Sequence, residues 1–225
     1  MARLQLSSDL MNYLASKPAS ETPGEVERIP SLAELSQELG ASVSSLREQL
    51  EVVRALGFVE VRPRTGIRRL PYSFLPAVQH SLAYALQSDR AYFDLFADLR
   101  RKLEAAFWYP AVRLLTPEDH ACLRTLVEQA WNKLNGSPVH IPQDEHRRLH
   151  LAIYCRLGNP FVTGILEAYW DAYETVGLNL FADYNYLQQV WRSHEQMVEA
   201  ICSGDYDAGY QALVEHTDLL YQRAL

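Results

Sequence analysis

The chain has 225 residues, of which 48% are hydrophobic and 22% are charged, and its formal net charge at pH 7 is −7. This length allows one large domain or two small ones with a full hydrophobic core. The composition shows no biased tract, which excludes a low-complexity or fibrous chain, and no apolar run approaches the length of a membrane span.

The net negative charge argues against nucleic-acid binding, but the charges are unevenly distributed along the chain. Residues 1–70 hold nine basic and nine acidic side chains, whereas residues 71–225 hold twelve basic and nineteen acidic ones. Within the neutral part, four arginines crowd into "VRPRTGIRRL". A local basic patch of this kind can bind phosphates while the acidic remainder of the chain stays away from DNA.

The first elements in the chain are predicted to be three helices. "SDLMNYLAS", residues 8–16, is amphipathic and follows a serine cap, which is typical of a helix rather than of a signal peptide. Ser31 and Glu34 have the capping-box spacing before a second helix that ends at Gly40. "VSSLREQLEVVRALG" predicts a third helix, ended by Gly57.

A hairpin with a basic tip is predicted next, because "FVEV" alternates, "RPRTG" has turn composition and "IRRL" can return as a strand. Helix, short turn, helix and hairpin is the layout of a winged helix-turn-helix, which we assign to residues 1–70. The alternative is a helical pair with a solvated basic hairpin.

Small polar residues at the start of the third helix would let it approach the major groove, and arginines can reach bases or phosphates. The predicted DNA-binding residues are Ser42, Ser44, Ser45, Arg47, Arg62, Arg64, Thr65, Gly66 and Arg68.

The remainder of the chain is predicted to be a helical domain joined by a short linker. Residues 71–76 contain two prolines and form the linker, and residues 77–225 show helical patterns without strand-like alternation. The predicted helices are 77–87, 91–109, 117–134, 143–157, 160–181, 184–203 and 205–224. The fold class is therefore mainly α, a winged helix-turn-helix followed by an antiparallel helical bundle.

Four histidines in this helical part can converge. His146 and His150 are four apart and share one helix face. His194 lies ten residues before Gly204 and His216 twelve after it, so an antiparallel pair that turns at Gly204 would bring both to one level. If the two faces meet, the four imidazoles suit Zn, Ni, Cu, Co or Fe(II). Taken singly, each histidine is more often a packing or surface residue.

The sequence contains few motifs for disulfides, cysteine metal sites or catalysis. Cys122, Cys155 and Cys202 lie far apart without a CxxC, which suits a reducing cytoplasm and argues against a disulfide framework or a cysteine zinc site. "HRRLH" lacks the glutamate of the H-E-x-x-H zinc hydrolases, and GxSxG, P-loop and GxGxxG motifs are absent. A metal-dependent enzyme built on the bundle remains an alternative.

The ordered motifs resemble the GntR family of bacterial transcription regulators, in the subfamily with a FadR-type, all-helical FCD effector domain. The N-terminal resemblance lies in "IPSLAELSQELGASVSSLREQL" and "LGFVEVRPRTG". The C-terminal resemblance lies in "LRRKLE", "RLHLAIYCRLGNPFV" and "SHEQMVEAICSGDYDAGYQALVEH". The chain departs from the family pattern at Ala33 and Val43, where the family has arginines. Their loss should alter the operator and weaken DNA binding.

The resemblance also implies ligands for the helical domain. Metal-binding members commonly use Asp-x-x-x-His and two later histidines, so the implied ligands here are His146 in the aspartate position, His150, His194 and His216. The extra imidazole favours nitrogen-preferring divalent metals, with zinc or nickel foremost, and an anion beside the metal.

Small organic acids are the usual effectors of this family. The resemblance places Arg100 at an effector-binding position, although an i,i+4 surface ion pair with Glu104 is the alternative. Tyr169, Tyr173 and Asn179 are predicted to line the same cavity from helix face and polarity.

The sequence thus predicts a cytoplasmic, homodimeric transcription regulator that binds a palindromic operator in double-stranded DNA. A small carboxylate effector in the helical domain would modulate operator binding. Besides the enzyme, a ligand-binding protein that has lost specific DNA binding is the remaining alternative.

Overall fold

The computed structural model describes residues 8–17, 27–177 and 183–222, with side chains up to residue 217. The chain divides into two compact units, Met1–Ala77 and Val78–Leu225. Within the described ranges, no helix is long and apolar enough to cross a membrane.

The helices of the first unit begin and end at the residues that local capping dictates. They are α1 (Asp9–Ser16), α2 (Leu32–Leu39) and α3 (Val43–Ala55). Ser31 and Glu34 form a complete capping box at the start of α2. Gly40 closes α2 in the left-handed conformation, with φ at 68°, where a residue with a Cβ would be strained.

The described strands of the first unit form a small antiparallel sheet. They are β1 (Arg28–Ile29), β2 (Val59–Arg62) and β3 (Gly66–Arg69), in the order β1-β3-β2. β2 and β3 form the predicted hairpin, whereas β1 was missed because a two-residue strand depends on its distant partner β3. The core contains Leu10, Leu14, Ile29, Leu35, Leu46, Leu50, Val53, Val59 and Ile67. This architecture is the predicted winged helix-turn-helix.

All regular secondary structure described in the second unit is helical, and its first helix begins in the last residues of the first unit. Its helices are α4 (Leu75–Ser88), α5 (Tyr92–Val112), α6 (Pro117–Leu134), α7 (Gln143–Tyr154), α8 (Pro160–Thr175), α9 (Tyr184–Ser203) and α10 (Tyr206–Gln222). α9 and α10 pack as an antiparallel hairpin that turns at Gly204, whose φ is 82°. α5 packs against α7, α8 and α10, and α7 also contacts α6 and α8. The mainly α fold class is confirmed.

Several predicted boundaries differ from the structure for local reasons. The helix predicted over 160–181 ends at Thr175, because Gly177 adopts a left-handed φ of 75°, and residues 178–181 lie outside the described part. α4 already begins at Leu75, inside the predicted linker. Pro76 is tolerated there because the first helical turn needs no donor from it.

Two further helix ends were misplaced. α5 continues to Val112 and includes Pro110, although the predicted helix stopped at 109. α7 ends at Tyr154, three residues before the predicted end, and Cys155 and Arg156 form a turn.

Candidate metal centre and nucleic-acid interface

Three helices of the second unit bring four imidazoles to one point. His146 and His150 extend from adjacent turns of α7, His194 from the middle of α9 and His216 from α10. One ring nitrogen of each lies within 4.8 Å of the corresponding nitrogen of every other member. The imidazole cluster, as we call these four side chains, is the set predicted from the sequence.

The α9–α10 hairpin explains the convergence of two of the four rings. Both helices run away from Gly204, so residues at similar distances from the turn lie side by side. The ring centroids of His194 and His216 are 4.1 Å apart. α7 supplies the other half, since His146 lies 4.7 Å from His194 and His150 lies 5.2 Å from His216, again between ring centroids.

Burial keeps three of the four imidazoles neutral. His150, His194 and His216 are fully buried, whereas His146 is partly exposed although its Nε2 is buried. Burial, reinforced by the charge of Arg100, holds the pKa of His150 well below the usual value. Burial, followed by His150 and Arg100, lowers the pKa of His216 in the same way. Burial and then the neighbouring imidazoles do the same to the pKa of His194. Neutral imidazole is the form that binds a metal ion.

A buried ion pair lies beside the cluster. Arg100 and Glu104, one turn apart on α5, are 1% and 0% exposed, and Arg100 Nε lies 2.8 Å from Glu104 Oε2. Burial raises the pKa of the Glu104 carboxyl, and the charge of Arg100 opposes that rise. The predicted alternative of a surface pair was therefore wrong in its location, because the α5 face that carries both residues packs into the bundle.

An aromatic wall from α8 closes the other side of Arg100 and the cluster. The Arg100 guanidinium carbon lies 4.8 Å from the ring centroid of Tyr169 and 5.4 Å from that of Trp170. Trp170 and Tyr173 contact the His146 ring edge-on, at 4.6 and 6.3 Å between centroids. The structure thus places three predicted effector residues, Arg100, Tyr169 and Tyr173, near the cluster; the fourth, Asn179, lies outside the described residues.

A surface cavity of about 340 Å³ lies elsewhere in this unit, between α4 and α8. Leu82 and Leu86 line it from α4, and Ala168, Asp171 and Ala172 line it from α8. None of the four histidines or Arg100 borders it. Neither of the two predicted effector tyrosines on α8 borders this cavity: Tyr173 contacts the His146 ring, and Tyr169 contacts Arg100.

The donor set of the imidazole cluster fits a divalent transition ion. Neither ring nitrogen of His216 has a hydrogen-bond partner among the described atoms, and neither does Nδ1 of His194. Buried polar atoms without partners are costly, and a shared cation would satisfy the lone pairs. His150 Nε2 and His194 Nε2 are 3.1 Å apart, close to the roughly 3.4 Å between two ligand nitrogens at tetrahedral zinc.

Two residues of the site, Glu104 and Trp170, are not among those predicted from the sequence. The spacing predicts Glu104 only as a surface ion-pair partner of Arg100. The available signal for Trp170 was its position in "EAYWDAY", between two residues already assigned to the site. Spacing alone does not distinguish a buried i,i+4 pair from an exposed one, so Glu104 had no comparable signal.

The predicted DNA-binding residues of α3 lie at its exposed beginning. Ser42 is the N-cap, and its side chain accepts a hydrogen bond from the Ser45 backbone N–H at 3.2 Å. Ser45 Oγ accepts from Gln49 Nε2 at 3.1 Å, so both serines also serve the helix itself. Ser44 and Arg47 are exposed, as groove contacts require.

The wing carries its arginines at the tip and along β3. Arg62 and Arg64 are exposed, Arg68 is partly exposed, and Arg64 has a positive φ of 66° beside Gly66 at 80°. Arg62 Nε also lies 3.0 Å from Glu60 Oε1. Thr65 is partly exposed, but its hydroxyl oxygen is buried and does not face solvent.

One cation of the wing, Arg28, is not among the residues predicted from the sequence. β1 pairs Arg28 with Arg68 on β3, and the Arg28 guanidinium approaches the backbone of Gly66. No local signal marks this arginine, because its position depends on pairing with Arg68, 40 residues further along the chain.

Known proteins resemble this chain across both of its units. The FCD domain matches residues 95–219, more than half of the chain. An Escherichia coli K12 protein named uncharacterized HTH-type transcriptional regulator YieP is 27% identical over 207 residues, covering 87% of this chain and 82% of that protein. The Uxu operon transcriptional regulator of the same organism is 26% identical over 208 residues, covering 90% and 79%.

A solved structure, Streptococcus agalactiae GntR, has the same fold, with a TM-score of 0.68 at 20% identity and coverage of 96% of each chain. The family resemblance that the sequence motifs predicted is confirmed: the chain belongs to the FCD-domain family, among the GntR-type transcriptional regulators.

Proposed function

We propose that this protein is a metal-dependent regulator of transcription, in which the imidazole cluster holds a divalent transition ion and a small carboxylate binds beside it. The proposal rests above all on one observation: four imidazoles from three helices meet within 4.8 Å inside the bundle. The winged helix-turn-helix would bind operator DNA, and the occupied helical domain would change its affinity.

Zinc or nickel is the ion that the ligands favour. Four neutral imidazoles supply nitrogen donors and no negative charge, which disfavours magnesium or manganese. When bound, the ion supplies a fixed positive charge and a Lewis-acid centre within the bundle. Arg100 and Glu104 cancel each other next to the cluster, so the occupied site would keep its net positive charge.

A carboxylate would balance that charge, and the residues around the cluster support this choice of effector. Arg100 is held against Tyr169 and Trp170, and guanidinium groups bind carboxylates in a planar fork. Tyr173 reaches the same region through its contact with His146. We propose Arg100, Tyr169 and Tyr173 as effector-binding residues on these grounds.

The DNA side of the proposal requires a dimer. Two copies related by a two-fold axis would place their α3 helices on two half-sites of a palindrome. Ser44 and Arg47 would face base edges, and Arg28, Arg62, Arg64 and Arg68 would face phosphates. Since its target is operator DNA, the proposed site of action is the cytoplasm.

Elemental analysis and DNA retardation test the two halves of the proposal. Protein purified without chelators should contain about one zinc or nickel per chain, and His194→Ala should lower that content sharply. His140→Gln alters an exposed histidine on the segment before α7 and is the matched control. Chelator-treated and zinc-loaded protein should differ in affinity for DNA from upstream of the protein's own coding region.

Two outcomes would contradict the proposal. Metal content that is near zero, and that zinc addition does not raise, would remove the metal centre. Failure to retard DNA at low salt would instead favour a ligand-binding protein that has lost specific DNA binding. The exposed Val43 at the start of α3, where the family resemblance implies arginine, makes this second outcome worth testing.

A further inference from the structure

One nitrogen of the imidazole cluster lies between two partners with opposite requirements. Nδ1 of His150 is 2.8 Å from Nη2 of Arg100 and 3.1 Å from Oε1 of Glu104. A guanidinium nitrogen can only donate a hydrogen bond, and a carboxylate oxygen can only accept one. A neutral imidazole therefore satisfies either Arg100 or Glu104 at this nitrogen, but not both.

The hydrogen-bond partner of Nδ1 determines whether Nε2 of His150 carries the ring proton. If Nδ1 accepts from Arg100, the ring proton is on Nε2, which can then donate to Nε2 of His194 at 3.1 Å. If Nδ1 donates to Glu104, Nε2 carries a lone pair that points into the cluster. Only this second tautomer can bind a cation through Nε2. The net charge of the ring is the same in both tautomers.

We propose that Arg100 and Glu104 compete for Nδ1 of His150, and that the winner decides whether His150 can join the metal centre. Arg100 favours the tautomer that cannot bind a metal, and Glu104 favours the one that can. Glu104 is then a positioning residue for His150, with Arg100 as its antagonist. This inference rests on the proposed function, because it describes how the same centre is filled.

The surroundings hold both competitors in place. Arg100 Nε contacts the second carboxylate oxygen of Glu104 at 2.8 Å, so neither group can leave without breaking a buried ion pair. Tyr154 donates its hydroxyl to the backbone carbonyl of Glu104 at 2.9 Å and anchors that turn of α5. Arg100, Glu104 and His150 are at most 1% exposed, so bulk water does not replace either partner.

The competition has a consequence for Arg100. When His150 offers its Nε2 lone pair to a cation, its Nδ1 must carry the proton, and Nη2 of Arg100 loses its acceptor. A buried donor without an acceptor costs free energy. Arg100 then gains from a carboxylate beside the metal, so metal loading and carboxylate binding should favour each other.

Nitrogen-15 NMR of the histidine side chains tests the competition directly. In chelator-treated protein, His150 should be protonated at Nε2, and in zinc-loaded protein at Nδ1. The His150 signals can be assigned by their loss in His150→Gln. The inference is overturned if Nδ1 of His150 carries the proton in both samples.

Zinc affinity, measured by competition with a chromophoric chelator, provides a second readout. Glu104→Gln keeps the shape of the side chain but replaces a charged acceptor by a neutral amide, which holds the Nδ1–H of His150 less strongly, so the zinc affinity should fall by roughly 10–100-fold. Glu128→Gln makes the same substitution at an exposed position of α6 and is the matched control, which should bind zinc like the wild type. Equal affinity of Glu104→Gln and wild type would contradict the inference.

The two levels of the proposal fail in different ways. A flat zinc titration of the wild type removes the metal centre itself, and the inference falls with it. Normal zinc binding without a change in the His150 tautomer leaves the proposed function intact and removes only the competition between Arg100 and Glu104.

Discussion

Each unit of the protein contains an arginine–glutamate pair, and the two pairs have opposite consequences. On the wing, Arg62 and Glu60 lie 3.0 Å apart with side chains 58% and 26% exposed. In the bundle, Arg100 and Glu104 lie 2.8 Å apart, and their side chains are 1% and 0% exposed. Solvent screens the first pair, so Arg62 can exchange its partner for a phosphate at little cost. The buried pair has no such freedom, because each charge depends on the other.

The largest predicted effect follows from breaking the buried pair. Glu104→Leu leaves the Arg100 charge buried without its partner, and the free energy of unfolding should fall by about 3–5 kcal/mol. Urea denaturation monitored by tryptophan fluorescence measures this. The double variant Arg100→Met with Glu104→Leu removes both charges and should be more stable than the single variant. A single variant as stable as the wild type would contradict the contrast between the two pairs.

The next effect concerns the pH dependence of stability in chelator-treated protein. His150, His194 and His216 have pKa values well below the usual value when folded, so the unfolded chain takes up protons that the folded chain refuses. Above about pH 6.5 the three histidines are neutral in both the folded and the unfolded chain, so they do not make the free energy of unfolding depend on pH. Below it, stability should fall by up to about 1.4 kcal/mol per pH unit for each histidine.

Urea midpoints between pH 7.5 and 5 measure this slope. His216→Leu removes one of the three groups and should make the slope shallower, whereas His140→Gln, at an exposed position, should leave it unchanged. A stability that does not change below pH 6.5 would mean that the cluster is hydrated rather than buried.

A smaller effect is predicted on the DNA side. Arg47→Ala should reduce the preference for operator over unrelated DNA by about 1–3 kcal/mol, as expected for the loss of one arginine–base contact. Arg54→Ala is the matched control on α3, since Arg54 lies at the far end of the helix and pairs with Glu51. Fluorescence anisotropy with both DNAs measures the preference. An equal loss for the two variants would contradict a specific role of Arg47.

The smallest effect tests the exposed pair itself. Glu60→Gln should change the free energy of unfolding by less than about 1 kcal/mol. It should nevertheless raise DNA affinity and steepen its dependence on salt, because Arg62 would no longer share its charge with a carboxylate. If DNA affinity stays constant while stability falls, Arg62 supports the hairpin rather than contacting DNA.

Local sequence signals predicted the parts of the fold that local chemistry determines. Ser31, Glu34 and Gly40 lie at the ends of α2 as predicted, because a capping box and a left-handed glycine act within a few residues. The convergence of His194 and His216 was also accessible, since a hairpin converts equal distances from a turn into equal heights.

Features that depend on distant partners were not accessible. β1 exists only because Arg28 and Ile29 pair with β3, and two residues carry no detectable alternation. The burial of Arg100 and Glu104 depends on how α5 packs against α7 and α8, which their spacing does not encode. The buried hydroxyl of Thr65 was not accessible either, because turn composition predicts an exposed residue without indicating which of its atoms face solvent.

The turn at Gly204 has a consequence for which changes in chain length the protein can accept. Each added residue rotates the following part of a helix by about 100°. One insertion between Gly204 and either His194 or His216 would therefore carry that imidazole to another face of its helix, although every residue type is retained. We expect homologues to vary in length in the loops that leave this hairpin, and to keep the 22-position interval between the two histidines.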